Sequence, residues 1–178
     1  MPTKHLILPL YVAIALVFLA CAKQPQPMRV LQGYPLDVKT GIITQSDERT
    51  RLSIDRNVFA EGTGSLRITA TEPITVRLFE VGDVDVENAR LVYQAKLRTE
   101  GVEGKVYLEM WCHVAEIGES HSRGLETPLM GTVDWTTEEI PFFLKTGENP
   151  DNIKLNLVID GTGTAWIDDI RLMKGPLK

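Results

Sequence analysis

Residues 105–114 place Val106, Leu108, Met110 and Cys112 on one parity and Tyr107, Glu109, Trp111 and His113 on the other. Alternation of period two is the pattern of a half-buried strand, so the first set points to a core and the second away from it. The outward set is unusual to leave facing water. Two aromatic rings offer flat apolar surfaces for stacking, and a carboxylate and an imidazole offer hydrogen bonds. Gln94, Lys96 and Arg98 share the non-core parity of residues 89–98, and Lys154 and Asn156 that of residues 153–160. If these strands neighbour one another in one sheet, they make a polar face with embedded aromatics, the composition of a ligand site. The other reading has residues 115–129, a long loop rich in Gly, Ser, His and Glu, or the amino-terminal segment, cover that face and bury its aromatics as a second small core. A register slip of one would exchange the two sets, but four apolar residues on the other parity oppose it.

Other chemistry is thinly written. Glu109, Glu119, Glu126 and Asp134 could supply a carboxylate pair, although nothing in their spacing requires one. Cys112 and His113 are successive on a strand and therefore point to opposite faces, so they cannot chelate one ion together, with or without His121. There is no nucleophile elbow, phosphate loop or zinc signature. The expectation is a non-catalytic domain.

The elements that must position these residues are strands. From residue 36 onward no segment carries a capped helical stripe, and residues 83–88 are only a short, weak helix candidate. Alternating runs recur instead at 51–55, 65–71, 74–81, 89–98, 105–114, 139–145, 153–160 and 165–173, punctuated by Gly, Asn, Asp and Pro. Eight or nine strands without interposed helices predict an all-β, antiparallel, two-sheet sandwich over residues 36–174.

Three further motifs arrive in order: Gly62-Thr63-Gly64-Ser65-Leu66, then Gly131-Thr132-Val133-Asp134-Trp135, then Trp166-Ile167-Asp168-Asp169-Ile170. The ordered set resembles the jelly-roll sandwich of galactose-binding-like domains and carbohydrate-binding modules, over residues 36–172. That resemblance implies a fold that hosts sugar binders, accessory domains and structural modules alike. It implies that rings on one sheet face stack on pyranoses while carboxylates, amides and basic groups bind their hydroxyls. It also implies a structural calcium site in which Asp169 is the matched ligand, with Asp47, Glu48 or Asp55 as upstream partners; a surface acidic pair or a bridge to Arg is the alternative. Trp135 and Trp166 are expected to fill the core or cap its end.

The first residues bear on location. Lys4 lies in a short polar start, residues 6–20 are apolar apart from Pro9 and Tyr11, and Ala20 precedes Cys21. The run is short for a membrane span, which needs about 20 residues, and suits a signal peptide over 1–20. It resembles the bacterial lipobox, which implies a lipid on Cys21; Phe18 departs from the aliphatic residue usual there, and an uncleaved anchor is the second reading. Residues 21–35 then form a Pro-rich tether. Ala22 favours an outer-membrane destination where the source has one. Cys112 would be a free buried thiol. The net charge of −5 lacks the clustered Lys and Arg that nucleic acid demands. The expected protein is therefore a membrane-anchored envelope lipoprotein that binds carbohydrate, or alternatively one that is structural or docks another envelope protein.

Overall fold

A computed structural model describes residues 27–39, 41–82 and 84–177. The signal-peptide reading and Cys21 lie outside these residues. The rest is all-β: β1 (Arg29–Tyr34), β2 (Thr50–Asp55), β3 (Ser65–Ala70), β4 (Ile74–Gly82), β5 (Ala89–Val114), β6 (Gly118–Arg123), β7 (Leu129–Leu144) and β8 (Pro150–Gly175). Every pairing is antiparallel. The chain is an antiparallel two-layer β-sandwich, as its sequence pattern predicts.

Two strands of 26 residues each, β5 and β8, organise it. They pair along their whole length, from Arg90 against Gly175 to Val114 against Pro150. The ribbon bends midway, where register shifts between Glu100 and Glu103. Gly104 (φ 125°) and Gly161 (φ 148°) face each other across this bend, each where a Cβ would run into the backbone carbonyl of the opposite strand. Only glycine permits both the conformation and the approach. Beyond the bend the ribbon folds over itself, and each half gathers its own neighbours. The first layer contains residues 89–100 of β5 beside β7, and residues 162–175 of β8 beside β1 and β3, with β2 outside β3. The second layer runs β6–β5–β8–β4.

The core lies between these layers. Leu91, Tyr93, Ala95 and Leu97 face it from one half of β5, and Val106, Leu108, Met110 and Cys112 from the other. The parity therefore switches from odd to even across the bend, which absorbs one residue.

Three expectations need correction. Residues 29–34 are not tether: they form β1 on the β8 edge, because Leu31 and Tyr34 pack on the core and Tyr34 stacks on Phe79 of β4 with ring centroids 3.7 Å apart. Residues 84–88 form no helix. The stretch 115–129 is not simply a long loop, since β6 occupies its middle and pairs with β5.

Candidate functional site

In the second layer, Tyr107, Glu109, Trp111 and His113 project from β5 away from the core, as their parity requires. β6 does not cover them; it lies alongside and widens the face. Three cross-strand rows result. Arg123, Glu109, Asn156 and Arg77 form one; His121, Trp111, Lys154 and Glu80 the next; Glu119, His113 and Asn152 the third.

Glu109 anchors this face. Its side chain is only 5% exposed, yet it points outward, and its carboxylate accepts from Arg123 Nε at 2.6 Å and Asn156 Nδ2 at 2.9 Å. Burial raises the Glu109 pKa, but the polar hydrogens of Asn156, Trp111 and Arg123 outweigh it and hold the carboxyl below its ordinary range. The Asn156 carbonyl Oδ1 is buried without a hydrogen-bond partner. Trp111 packs against His121 with centroids 4.7 Å apart, and the Arg123 guanidinium lies 5.9 Å from its ring. Lys154 pairs with Glu119, and His113 Nδ1 meets Asp151 at 2.6 Å. Two residues before Glu109, Tyr107 borders a shallow depression of about 270 Å³ with Thr75, Val158 and Asp160. Partial burial pushes the Tyr107 phenol upward. The carboxylates of Glu80, Glu109, Glu119 and Asp151 have cationic or imidazole partners, so the distinctive equipment of this face is half-buried rings, fixed donors and two unfilled acceptors, Asn156 Oδ1 and Asn152 Oδ1.

Gln94, Lys96 and Arg98 do not join it. They precede the bend and therefore face outward from the other layer, where Gln94 binds Glu139, Lys96 binds Glu61 and Arg98 meets Asp134. Trp166 belongs to that same outer face and not to the core. Its ring lies beneath the guanidinium groups of Arg67 and Arg98, at 5.4 and 5.5 Å, and its Nε1 donates to Asp55. Trp135 is only half-buried.

Three of the four residues proposed for calcium, Asp169, Asp55 and Asp47, have other partners. Asp169 (φ 45°) accepts from both Nε and the terminal nitrogen of Arg171, at 3.0 and 2.8 Å. Asp55 holds Trp166, while Asp47 accepts backbone N–H groups of Arg49 and Thr50. No group of three His, Cys, Asp or Glu able to hold a metal occurs among the described residues. The neighbour of Asp169, Asp168, has a structural role, fully buried and accepting from the N–H groups of Ala60, Glu61 and Asp169.

His121, Arg123 and Arg77 are members of the face that sequence reasoning missed. The signal available was the alternation Glu119, His121, Arg123, but without apolar residues between them it does not read as a strand.

No protein-family model matches the chain, and no curated protein matches it in sequence. Solved structures do match. The CBM22-1 xylan-binding domain from Paenibacillus barcinonensis is 11% identical with a TM-score of 0.59, over 83% of this chain and 95% of that one. A family 16 carbohydrate-binding module is 14% identical with a TM-score of 0.52, over 68% and 84%. The Stig cyclase Fisc from Fischerella sp. TAU is 11% identical with a TM-score of 0.59, over 82% and 86%. The chain thus has the β-sandwich fold of carbohydrate-binding modules. A cyclase shares that fold, so fold alone does not choose between binding and catalysis.

Proposed function

We propose that this chain is a non-catalytic carbohydrate-binding domain held at a membrane by lipid on Cys21, and that its ligand lies across Tyr107, Glu109, Trp111 and Asn156. The carrying observation is the Glu109 carboxylate, buried in an outward-facing position and fixing Arg123 and Asn156 beside the Trp111 ring. Such a centre holds hydrogen-bonding groups rigidly next to a stacking surface, the combination that a pyranose with one apolar face and several hydroxyls requires. Asn156 Oδ1 and Asn152 Oδ1 are the acceptors of this face without a hydrogen-bond partner. Tyr107 and Trp111 stand four residues apart on one strand, about 13 Å, a span that takes a short run of sugar units. The similar folds whose names describe carbohydrate-binding modules support this reading.

Titration calorimetry of the leaderless chain against a panel of glycans tests it. Saturable binding that Trp111→Ala abolishes is the expected result. Silence across neutral and acidic glycans sinks it and leaves a structural or protein-docking lipoprotein. Mass spectrometry of the membrane-extracted amino terminus tests the lipid on Cys21.

A further inference from the structure

The bend in the β5–β8 ribbon brings both ends of β5 to one end of the sandwich. Arg90 pairs there with Gly175 and Phe143, and Val114 with Pro150. The described chain enters at the same end, since Arg29 pairs with Lys174 and Val30 with Met173. Four large apolar side chains stand exposed around it: Met28, Val30, Ile117 and Phe143. Ile117 and Phe143 border one depression of about 200 Å³, and Met28 borders another of about 590 Å³ with Arg29 and Lys174. Interleaved with them are the cations Arg29, Arg90, Lys145 and Lys174. None of these four forms an ion pair among the described residues, although eight other basic side chains do. Arg90 Nε is buried without a hydrogen-bond partner, and a terminal nitrogen of the same guanidinium donates to Met28 Sδ at 3.7 Å. Of the carboxylates at this end, those of Glu87 and Glu148 accept the backbone N–H groups of Gly147 and Lys145, while Glu116 beside Ile117 and Asp85, whose backbone carbonyl accepts from Lys174 Nζ, pair with no cation among the described residues.

Only six residues lie between Cys21 and Met28, a contour of at most about 25 Å. We propose that this end of the sandwich is a docking surface for the anionic phospholipid headgroups of the bilayer into which Cys21 is anchored; the proposal rests on that anchoring. A tether of this contour lets Arg29 reach the bilayer, where a surface potential that decays over about 8 Å at physiological salt acts on it. Guanidinium and ammonium groups without carboxylate partners meet the phosphates, and Met28, Val30, Ile117 and Phe143 enter the interfacial region, the division of labour seen at interfacial anchors. Docked in this way, the strands of the second layer stand away from the bilayer, with His113 nearest it and Tyr107 farthest. The ligand face then opens sideways, not onto the lipid.

The test couples a chain beginning at Cys21, which keeps every core residue, to maleimide-bearing lipid in vesicles. Cys112 is fully buried, so coupling falls on Cys21. Vesicles are phosphatidylcholine alone or with phosphatidylglycerol, and amide exchange is followed over residues 28–34 and 141–147. Severalfold slower exchange on the anionic vesicles, reversed by high salt, is expected. The combined Arg29→Glu, Arg90→Glu and Lys174→Glu chain should weaken attraction roughly a hundredfold and lose the difference. Equal exchange on the two vesicle types overturns the proposal. Should the triple variant unfold, the salt series on the unaltered chain decides alone: slowing that survives high salt also overturns the proposal. A native chain without lipid on Cys21 overturns the anchoring reading alone, because the vesicle coupling is chemical.

Discussion

The carboxylate of Glu109 meets the guanidinium of Arg123 at 2.6 Å across the β5–β6 pair, with the acid buried and the base partly exposed. Removing the base strands a buried charge, which is more damaging than losing a surface ion pair. Arg123→Ala should cost about 2 kcal/mol in denaturant titration. The pH dependence has a definite sign. Because the folded carboxyl lies below its ordinary value, its contribution is complete above the usual glutamate range. It fades as pH falls through that range toward the folded value. Arg123→Ala should flatten this acid limb.

Ligand affinity should divide by layer. Trp111→Ala and Tyr107→Ala should each weaken glycan binding at least tenfold while leaving the melting temperature within a few degrees, since neither ring is in the core. Lys96→Ala and Arg98→Ala, on the opposite outer face, should leave calorimetric affinity unchanged. Loss of binding in the latter pair would move the site to the other layer.

The bend glycines should separate steric from conformational cost. Gly104→Ala and Gly161→Ala drive a methyl group into opposing backbone, and each should lose more than about 3 kcal/mol or fail to fold. Gly101→Ala, at φ 59° with open space around it, should lose only about 1 kcal/mol. Urea unfolding of the three variants makes the comparison.

Asp168 fastens the turn at Ala60 and Glu61 to β8. Asp168→Ala leaves three backbone N–H groups without their acceptor and should destabilise by about 2–4 kcal/mol. Amide exchange should accelerate first at residues 60 and 61. Burial pushes the Asp168 carboxyl up despite those bonds, so its linkage opposes that of Glu109. Its ionisation weakens the fold as pH climbs from the ordinary aspartate range through the raised folded value.

Cys112 should be silent. It is fully buried, and burial pushes its thiol up to about 12, leaving almost no thiolate at neutral pH. A maleimide should label it only at the rate of global unfolding, and in urea the label should appear across the same transition as lost fluorescence.

Much of this was legible from residue order. The run 105–114 shows which side chains leave the core, because period two is local and four apolar residues fix its phase. Whether two outward faces share a layer is not local. Lys96 and Trp111 obey the same parity rule within their own runs, but a bend that absorbs one residue places them on opposite surfaces. β6 escaped notice because an edge strand contributing nothing to the core needs no apolar alternation; its register comes from β5. Trp166 misled for a related reason. A large ring reads as core, but this one is buried from outside by two arginine side chains whose stems and guanidinium groups cover apolar surface. At the Asp168–Asp169 pair, Asp168 shares the outward parity of Lys96, which it faces across the strands, and is buried by the turn at Ala60 and Glu61, a non-local contact that composition does not announce.

The place of β8 in the chain has a kinetic meaning. Among the described residues it is the last element, and β1, β3, β4 and β5 all hydrogen-bond to it. Before it is available, the preceding residues can close only the β2–β3, β5–β6 and β5–β7 pairings. Neither layer is then complete, and the loops to be closed are long, so assembly is slow and nearly all-or-none. A copy truncated ahead of residue 150 is therefore not a smaller sandwich. It is a set of open strand edges, exposed to pairing with whatever lies nearby.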